Sequence, residues 1–278
     1  MSDRVKVTID GGVADVRLNR ADKLNALDPA MFQAIVEAGE TLKGEAGVRA
    51  VVLSGEGRGF CAGLDFSSFQ AMAGDAAPDR GETQTAPRSG DSSILSTSDR
   101  ITHLGQQAAW VWAELPVPVI AAVHGVALGG GLQVALGADI RIVAPDARLS
   151  VLEVRWGLTP DMTATWFLPR LVAPDVAKEL TFTGRMVSGE EAARIGLATK
   201  VSTTPLDDAL ALAAEIASKS PHAIRGAKRL IDASLGRSAA EQFADERATI
   251  GSLIGSPNQV EAVKAYFEKR DPAFAEVD

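Results

Sequence analysis

The stretch "VALGGGLQVALGADI", Val126 to Ile140, sets the tightest local constraint in this chain. Three successive glycines, Gly129 to Gly131, stand where a β-like apolar run gives way to a helix-like one. Each glycine in a helix interior costs up to about 1 kcal/mol relative to alanine. A chain that keeps three of them needs a backbone without side chains there. A second junction, "GRGFCAGLD" (Gly57 to Asp65), has the same form, with Gly63 between a strand-like run and the helix-like "LDFSSFQAM". At a helix start the N–H groups are unpaired and the dipole end is positive. Two such junctions facing each other would aim two backbone donors at one oxygen, an oxyanion hole for a developing enolate or tetrahedral oxygen. Close packing of helix on strand would also demand glycine. A nucleotide loop fits poorly, because neither G-x-x-x-x-G-K-[ST] nor G-x-G-x-x-G with an acidic ribose partner occurs.

The rest of the chain supplies the frame for those junctions. "VKVTID" and "VADVRLN" alternate as half-buried strands joined by "GG". "DPAMFQAIVEAGETLK" predicts a helix with Asp28 as N-cap and Pro29 at its first position. "VRAVVLSGE", "VPVIAAVHG" and "ADIRIVAP" read as short buried strands, and "RLSVLEVRWG" as a continued β pattern. Strands alternating with helices predict an α/β fold. Residues 72–98, poor in large apolar groups, read as a mobile surface loop, either a solvated insertion or a lid over a site. From about residue 206 the strand signal vanishes, and four helical segments follow, of a kind that often forms a subunit interface. The expected division is a core over 1–205 and a helical region over 206–278.

Composition narrows the function classes. The chain has 278 residues, 46% hydrophobic, with a net charge of −8. An acidic protein lacks the basic footprint of a general nucleic-acid binder. The single cysteine, Cys61, rules out an internal disulfide and favours a reducing compartment. The start "MSDRVKVTIDGG" has no apolar core of signal-peptide length, and no run is long enough to span a bilayer, so the cytoplasm is the expected location. Three scattered histidines and one cysteine give no support for a metal site.

"NRADKLNAL", "GFCAGLD", "HGVALGGGLQVALGADIRI", "WGLTPDMTATWFLPRLV", "LTFTGRMVSGEEAARIGLATKV" and "VKAYFEKRDPAF" together resemble the crotonase (enoyl-CoA hydratase/isomerase) superfamily. The match runs in order from the first strand to the last helix. The resemblance implies a spiral of ββα units with a C-terminal helical oligomerisation region, giving a homotrimer or dimer of trimers. It also implies an acyl-CoA thioester as substrate, with CoA part of the substrate and no separate cofactor. The two oxyanion donors fall on the amides of Leu64 and Gly130.

The acid and base groups set the reaction. Hydratases of this superfamily carry a glutamate shortly after the triple glycine; here that position is Gln133, which cannot exchange a proton near neutral pH. Gln133 is expected to position substrate or water, or to be a satisfied polar residue at a helix edge. Glu153 matches the second family glutamate, with a solvated strand-end carboxylate as the alternative. Asp161 follows Pro160 and would also serve as a helix N-cap. The Glu153–Asp161 spacing is similar to that of the dienoyl-CoA isomerases, where such a pair shuttles a proton along a conjugated chain. Gln133 departs from that pattern too, since those isomerases carry an aspartate there. Asp161 also resembles the nucleophile position of 4-chlorobenzoyl-CoA dehalogenases. Apolar neighbours such as Val151, Leu152, Trp156, Leu158 and Met162 are expected to raise both carboxyls.

The expected activity is Δ3,5-Δ2,4-dienoyl-CoA isomerisation, with hydration of a 2-enoyl-CoA as the alternative and a non-catalytic acyl-CoA binding module as a third reading. By resemblance the CoA end is held around Lys23, Leu24, Ala26 and Ala62. Lys264, Lys269 and Arg270 are phosphate candidates, each of which reads equally as an exposed charged face. Asp65 is expected to fix the donor loop, and a Cys61–His124 nucleophile pair is conceivable only on paper.

Overall fold

The computed structural model describes residues 3–65, 97 and 100–277; the loop expected at 72–98 lies outside them, Thr97 apart. β1 (Val5–Asp10) and β2 (Val13–Leu18) form an antiparallel hairpin with Val5 opposite Leu18 and Asp10 opposite Val13. Along β2 the residues Ala14, Val16 and Leu18 turn inward, as their alternation predicts. β3 (Ala50–Gly55) is buried throughout and pairs parallel with β2. β4 (Val119–Val123), β6 (Ile140–Val143) and β9 (Lys200–Val201) extend the same sheet in parallel, giving the order β1-β2-β3-β4-β6-β9. Strands covered on both faces read as continuous apolar runs, which is why "AVVLSG" and "VIAAV" show no alternation.

A second, smaller sheet runs beside the first. β5 (Val126–Leu128) pairs parallel with β7 (Arg148–Ser150), which pairs antiparallel with β8 (Val187–Ser188). Isolated parallel bridges join Cys61 to Ala127 and Leu27 to Leu64. Successive strand pairs, β4 with β5 and β6 with β7, therefore give one segment to each layer before a helix returns the chain. This is the ββα spiral expected from the resemblance.

α1 (Pro29–Lys43) starts as predicted, with the Asp28 carboxylate accepting the Met31 amide at 2.7 Å. α2 (Leu104–Ala113) and α3 (Gly130–Leu136) pack with α1 over the inner face of the large sheet, around Ile35, Leu53, Trp112 and Leu132. α4 (Ala164–Leu171), α5 (Pro174–Thr183) and α6 (Gly189–Arg194) follow. α7 (Pro205–Ala217) lies on the other sheet face, where Ala209 and Ala213 join Ala50, Val52, Ile120 and Ile142 in one cluster. The core thus continues past residue 205 through α7. α8 (Pro221–Ser234), α9 (Ala239–Leu253) and α10 (Pro257–Glu268) bury few residues in the single chain, and α9 buries none. The tail folds back, with Arg49 donating to Phe274 O and pairing with Glu276.

One expectation fails locally. The β pattern of "RLSVLEVRWG" ends at Ser150, and Glu153–Trp156 form a 3-10 turn. Leu152 leaves the extended region (φ −92°, ψ −11°), and Gly157 closes the turn in the left-handed region. The turn swings Glu153 inward instead of leaving it on a strand end.

Candidate active site

The three glycines of the opening stretch have three different reasons. Gly129 adopts φ +50°, where side chains are strained. A Cβ on Gly130 would meet Met162 Sδ at 2.8 Å and Leu27 Cδ1 at 2.9 Å, filling the wall of a cavity. A Cβ on Gly131 would meet Cys61 O at 2.3 Å, so its absence lets the two junctions close on each other. That cavity, about 280 Å³, is lined by the backbones and side chains of Ala62–Leu64 and Leu128–Gly130. Apolar groups from Leu27, Phe32, Leu152, Trp156, Leu158 and Met162 complete it, together with His103, Glu153 and Asp161.

Leu64 sits at a parallel bridge opposite Leu27. The Leu27 amide donates to Gly63 O at 2.8 Å and the Asp65 amide to Leu27 O at 3.0 Å. In this parallel bridge the Leu64 amide points away from Leu27, and Leu64 lines the cavity. The Gly130 amide belongs to the first turn of α3, where no intrahelical acceptor exists. Among the described residues neither amide makes a hydrogen bond. The place of a Cβ on Gly63, itself at φ +86°, is 3.7 Å from the Gly130 nitrogen, so the two junctions abut. Asp65 fixes the donor loop, accepting from Arg20 and holding the loop to Leu27.

Glu153 is 9% exposed and projects from its 3-10 turn against Gly129, whose missing Cβ would lie 3.3 Å from Oε1. Oε1 accepts from Gln133 Nε2 at 2.5 Å, while the buried Oε2 has no hydrogen-bond partner among the described residues. Burial pushes the Glu153 carboxyl up, opposed by nearby backbone amides and Gln133 and reinforced by the charge of Asp161. Asp161 is open to solvent on one side, yet its carboxyl is also pushed up by burial because its surface opens into an apolar cleft, opposed first by His103. It does not cap α4, since Thr163 holds the N-cap position.

Gln133 is 0% exposed and stands behind Glu153, off the cavity wall. Its Oε1 accepts from the amides of Met162 and Ala164 at 2.9 and 3.0 Å. Between those two donors Thr163 is held at φ +76°, a left-handed turn that points both amides at one oxygen. The expectation of direct contact between Gln133 and substrate is therefore replaced: within the described residues its amide is engaged with Glu153 and α4.

Of the expected CoA residues only Ala62 lines the cavity. Lys23, Leu24 and Ala26 lie on the turn behind it, joined through the Ala62 amide to Leu24 O at 2.9 Å. Lys264, 3.9 Å from Glu268, and Lys269 are exposed on α10 and its C-cap, off the cavity wall. Arg270 is paired with Glu261 and Glu268. A Cys61–His124 nucleophile is not formed. The Cys61 thiol donates to Asn25 O, is fully buried and is pushed up to about 12 by that burial, and His124 contacts Gly57 O. Among the described residues no cluster of potential metal ligands occurs, and no helix is long and apolar enough to cross a membrane.

Two residues escape a reading of the sequence. Asn25, at φ +56° and fully buried, donates to Glu56 O, Gly59 O and Phe60 O and so braces the donor loop. His103 lines the cavity, although nothing in "THLGQQ" beyond a possible helix start points to it.

Two unbonded backbone amides at abutting junctions and two carboxyls line one apolar cavity. A family model described as enoyl-CoA hydratase/isomerase matches residues 13–276, and the chain belongs to that family. It is 32% identical over 273 residues to a "Probable enoyl-CoA hydratase" of Bacillus subtilis (strain 168), covering 97% of this chain and 98% of that protein. It is 36% identical over 265 residues to the mitochondrial Delta(3,5)-Delta(2,4)-dienoyl-CoA isomerase of Homo sapiens, covering 93% and 77% respectively. The crystal structure of an enoyl-CoA hydratase from Bacillus anthracis superposes with a TM-score of 0.83 at 30% identity, covering 98% of each chain.

Proposed function

We propose that this enzyme isomerises a 3,5-dienoyl-CoA to a 2,4-dienoyl-CoA. Such a reaction needs an oxyanion site and two proton-transfer groups, and no water. The observation that carries the reading is the engaged amide of Gln133, which leaves Glu153 and Asp161 as the two carboxyls on the cavity wall among the described residues. Glu153 lies beside the Gly129–Gly130 junction, next to where a thioester oxygen would sit, so its carboxylate takes the proton from C2. The electrons of that C–H bond move into the chain, and charge gathers on the thioester oxygen between the amides of Leu64 and Gly130. Asp161 gives its proton to C6 as the enolate collapses, and the double bonds move from 3,5 to 2,4. Return of one proton from Glu153 to Asp161 restores the resting pair.

Hydration of a 2-enoyl-CoA is the second reading, favoured by the similarity to the Bacillus subtilis protein, whose name says hydratase. The test supplies a 3,5-dienoyl-CoA and a 2-enoyl-CoA in parallel and follows absorbance for conjugation gained or lost. Turnover of the dienoyl thioester supports isomerisation; turnover of the 2-enoyl thioester alone rejects it.

The reading extends to assembly. Ile231, Leu235, Phe243, Ile250, Ile254 and Phe267 leave an exposed apolar surface on α8–α10 in the single chain. A homotrimer, or a dimer of trimers, would cover it. It would also let Lys264 and Lys269 reach the CoA phosphates of a neighbouring subunit, while Lys23, Leu24, Ala26 and Ala62 hold the adenine end. A sedimentation mass of one chain would reject the assembly. A cytoplasmic setting goes with the lone cysteine.

A further inference from the structure

His103 has no part in the reaction as drawn so far. Its ring is 8% exposed and lines the same cavity as Asp161. α2 begins there: Nδ1 accepts from the amides of Gly105 and Gln106 at 3.1 and 3.4 Å, and the His103 amide donates to Gln106 Oε1 at 3.1 Å. A ring nitrogen that accepts amide hydrogens carries none of its own, so the imidazole hydrogen sits on Nε2. The cap thus fixes both the tautomer and the ring orientation. Gly105 leaves room for the His103 ring, since a Cβ there would lie 3.1 Å from His103 Cε1, and the same Cβ would be in ordinary contact, 3.6 Å, with Cγ of Met162, the neighbour of Asp161. Among the described residues no side-chain donor bonds the Asp161 carboxylate, and the titratable groups that share its cavity are His103 and Glu153. His103 also opposes the upward push that burial gives the Asp161 carboxyl.

We propose that His103 is a positioning residue for Asp161, its Nε2–H stabilising the negative charge that Asp161 acquires on giving its proton to the acyl chain. The direction of proton transfer rests on the isomerase reading; the pairing of ring and carboxylate does not.

His103→Asn tests it. Asparagine is among the best N-caps, so the start of α2 keeps an acceptor while the imidazole is lost. Thermal melting of the full chain checks that the fold survives, and His103→Ser, with a capping hydroxyl, replaces it if it does not. The first readout needs no turnover: carboxyl-carbon NMR titration of labelled aspartates, with Asp161 assigned by its loss in Asp161→Asn. The Asp161 midpoint moves to higher pH in His103→Asn; an unmoved midpoint overturns the proposal. The second readout is the pH profile with a 3,5-dienoyl-CoA. Asp161 must be protonated to act as acid, so it governs the alkaline limb, and that limb moves to higher pH in the variant. The kcat falls about tenfold with KM changed less than about twofold. Unchanged kcat and an unchanged limb also overturn it. A moved NMR midpoint in an enzyme that ignores dienoyl thioesters upholds the pairing and rejects the isomerase reading.

Discussion

The side-chain amide of Gln133 donates to Glu153 Oε1 at 2.5 Å while its oxygen accepts from the Met162 and Ala164 amides at 2.9 and 3.0 Å. One buried amide thereby holds the Glu153 carboxyl and anchors the first turn of α4. Gln133→Leu leaves two backbone donors unpaired in the core and lowers stability by about 2–4 kcal/mol, read from urea unfolding. Gln133→Glu keeps an acceptor for those donors but sets a second carboxylate against Glu153. Its charge raises the proton affinity of Glu153, so the acid limb of the kcat profile moves to higher pH, with kcat down about 10–100-fold near neutrality. The variant gains no hydratase activity, because position 133 is off the cavity wall. Appearance of 3-hydroxyacyl-CoA would contradict this placement.

Gly130 combines a donor with an open wall. A methyl group there would meet flexible side-chain ends, Met162 Sδ and Leu27 Cδ1, at 2.8 and 2.9 Å. Gly130→Ala is expected to fold, with those ends displaced into the cavity. The displaced donor and narrowed slot lower kcat/KM by about 10²–10³-fold. Wild-type kcat/KM in a folded variant would remove the Gly130 amide from the mechanism.

Stability carries a pH signature of the site. Burial raises the carboxyls of Glu153 and Asp161 in the folded chain, against opposition from backbone amides, Gln133 and His103. A raised acid binds its proton more tightly folded than unfolded. Its contribution is therefore greatest at low pH and declines as pH rises from the ordinary carboxylate range, about 4, through the raised folded value. Glu153→Gln and Asp161→Asn each flatten that decline. Surface carboxylates such as Asp245 and Glu261, held down to about 2 by arginine partners, have the opposite slope, so variant-minus-wild-type differences are the quantity to measure. Parallel curves for wild type and variants between about pH 4 and 8 would refute the raised values.

Thr163 stores strain beneath the site. It is a β-branched residue at φ +76° with a buried hydroxyl that has no partner among the described residues. Thr163→Gly relaxes the backbone and keeps the two amides on Gln133. The expected gain is about 0.5–1 kcal/mol, seen as a Tm rise of a few degrees. A loss of stability would mean that the methyl or hydroxyl contributes packing that the strain conceals.

The sequence by itself determined the frame: the strands, the Asp28 cap, the two glycine junctions and, through motifs in order, the family and its thioester chemistry. Those features are local, because capping, alternation and glycine requirements act within a few residues of chain. Tertiary structure decided the directions of the side chains. Gln133 faces inward because α3 presents that side to the start of α4, and the left-handed turn at Thr163 aims two amides at it. Glu153 enters the cavity because the strand breaks after Ser150, and His103 comes to line the same cavity as Asp161 from 58 positions away in the chain. Such placements depend on how packed elements are rotated against one another, and no short stretch of sequence encodes that rotation.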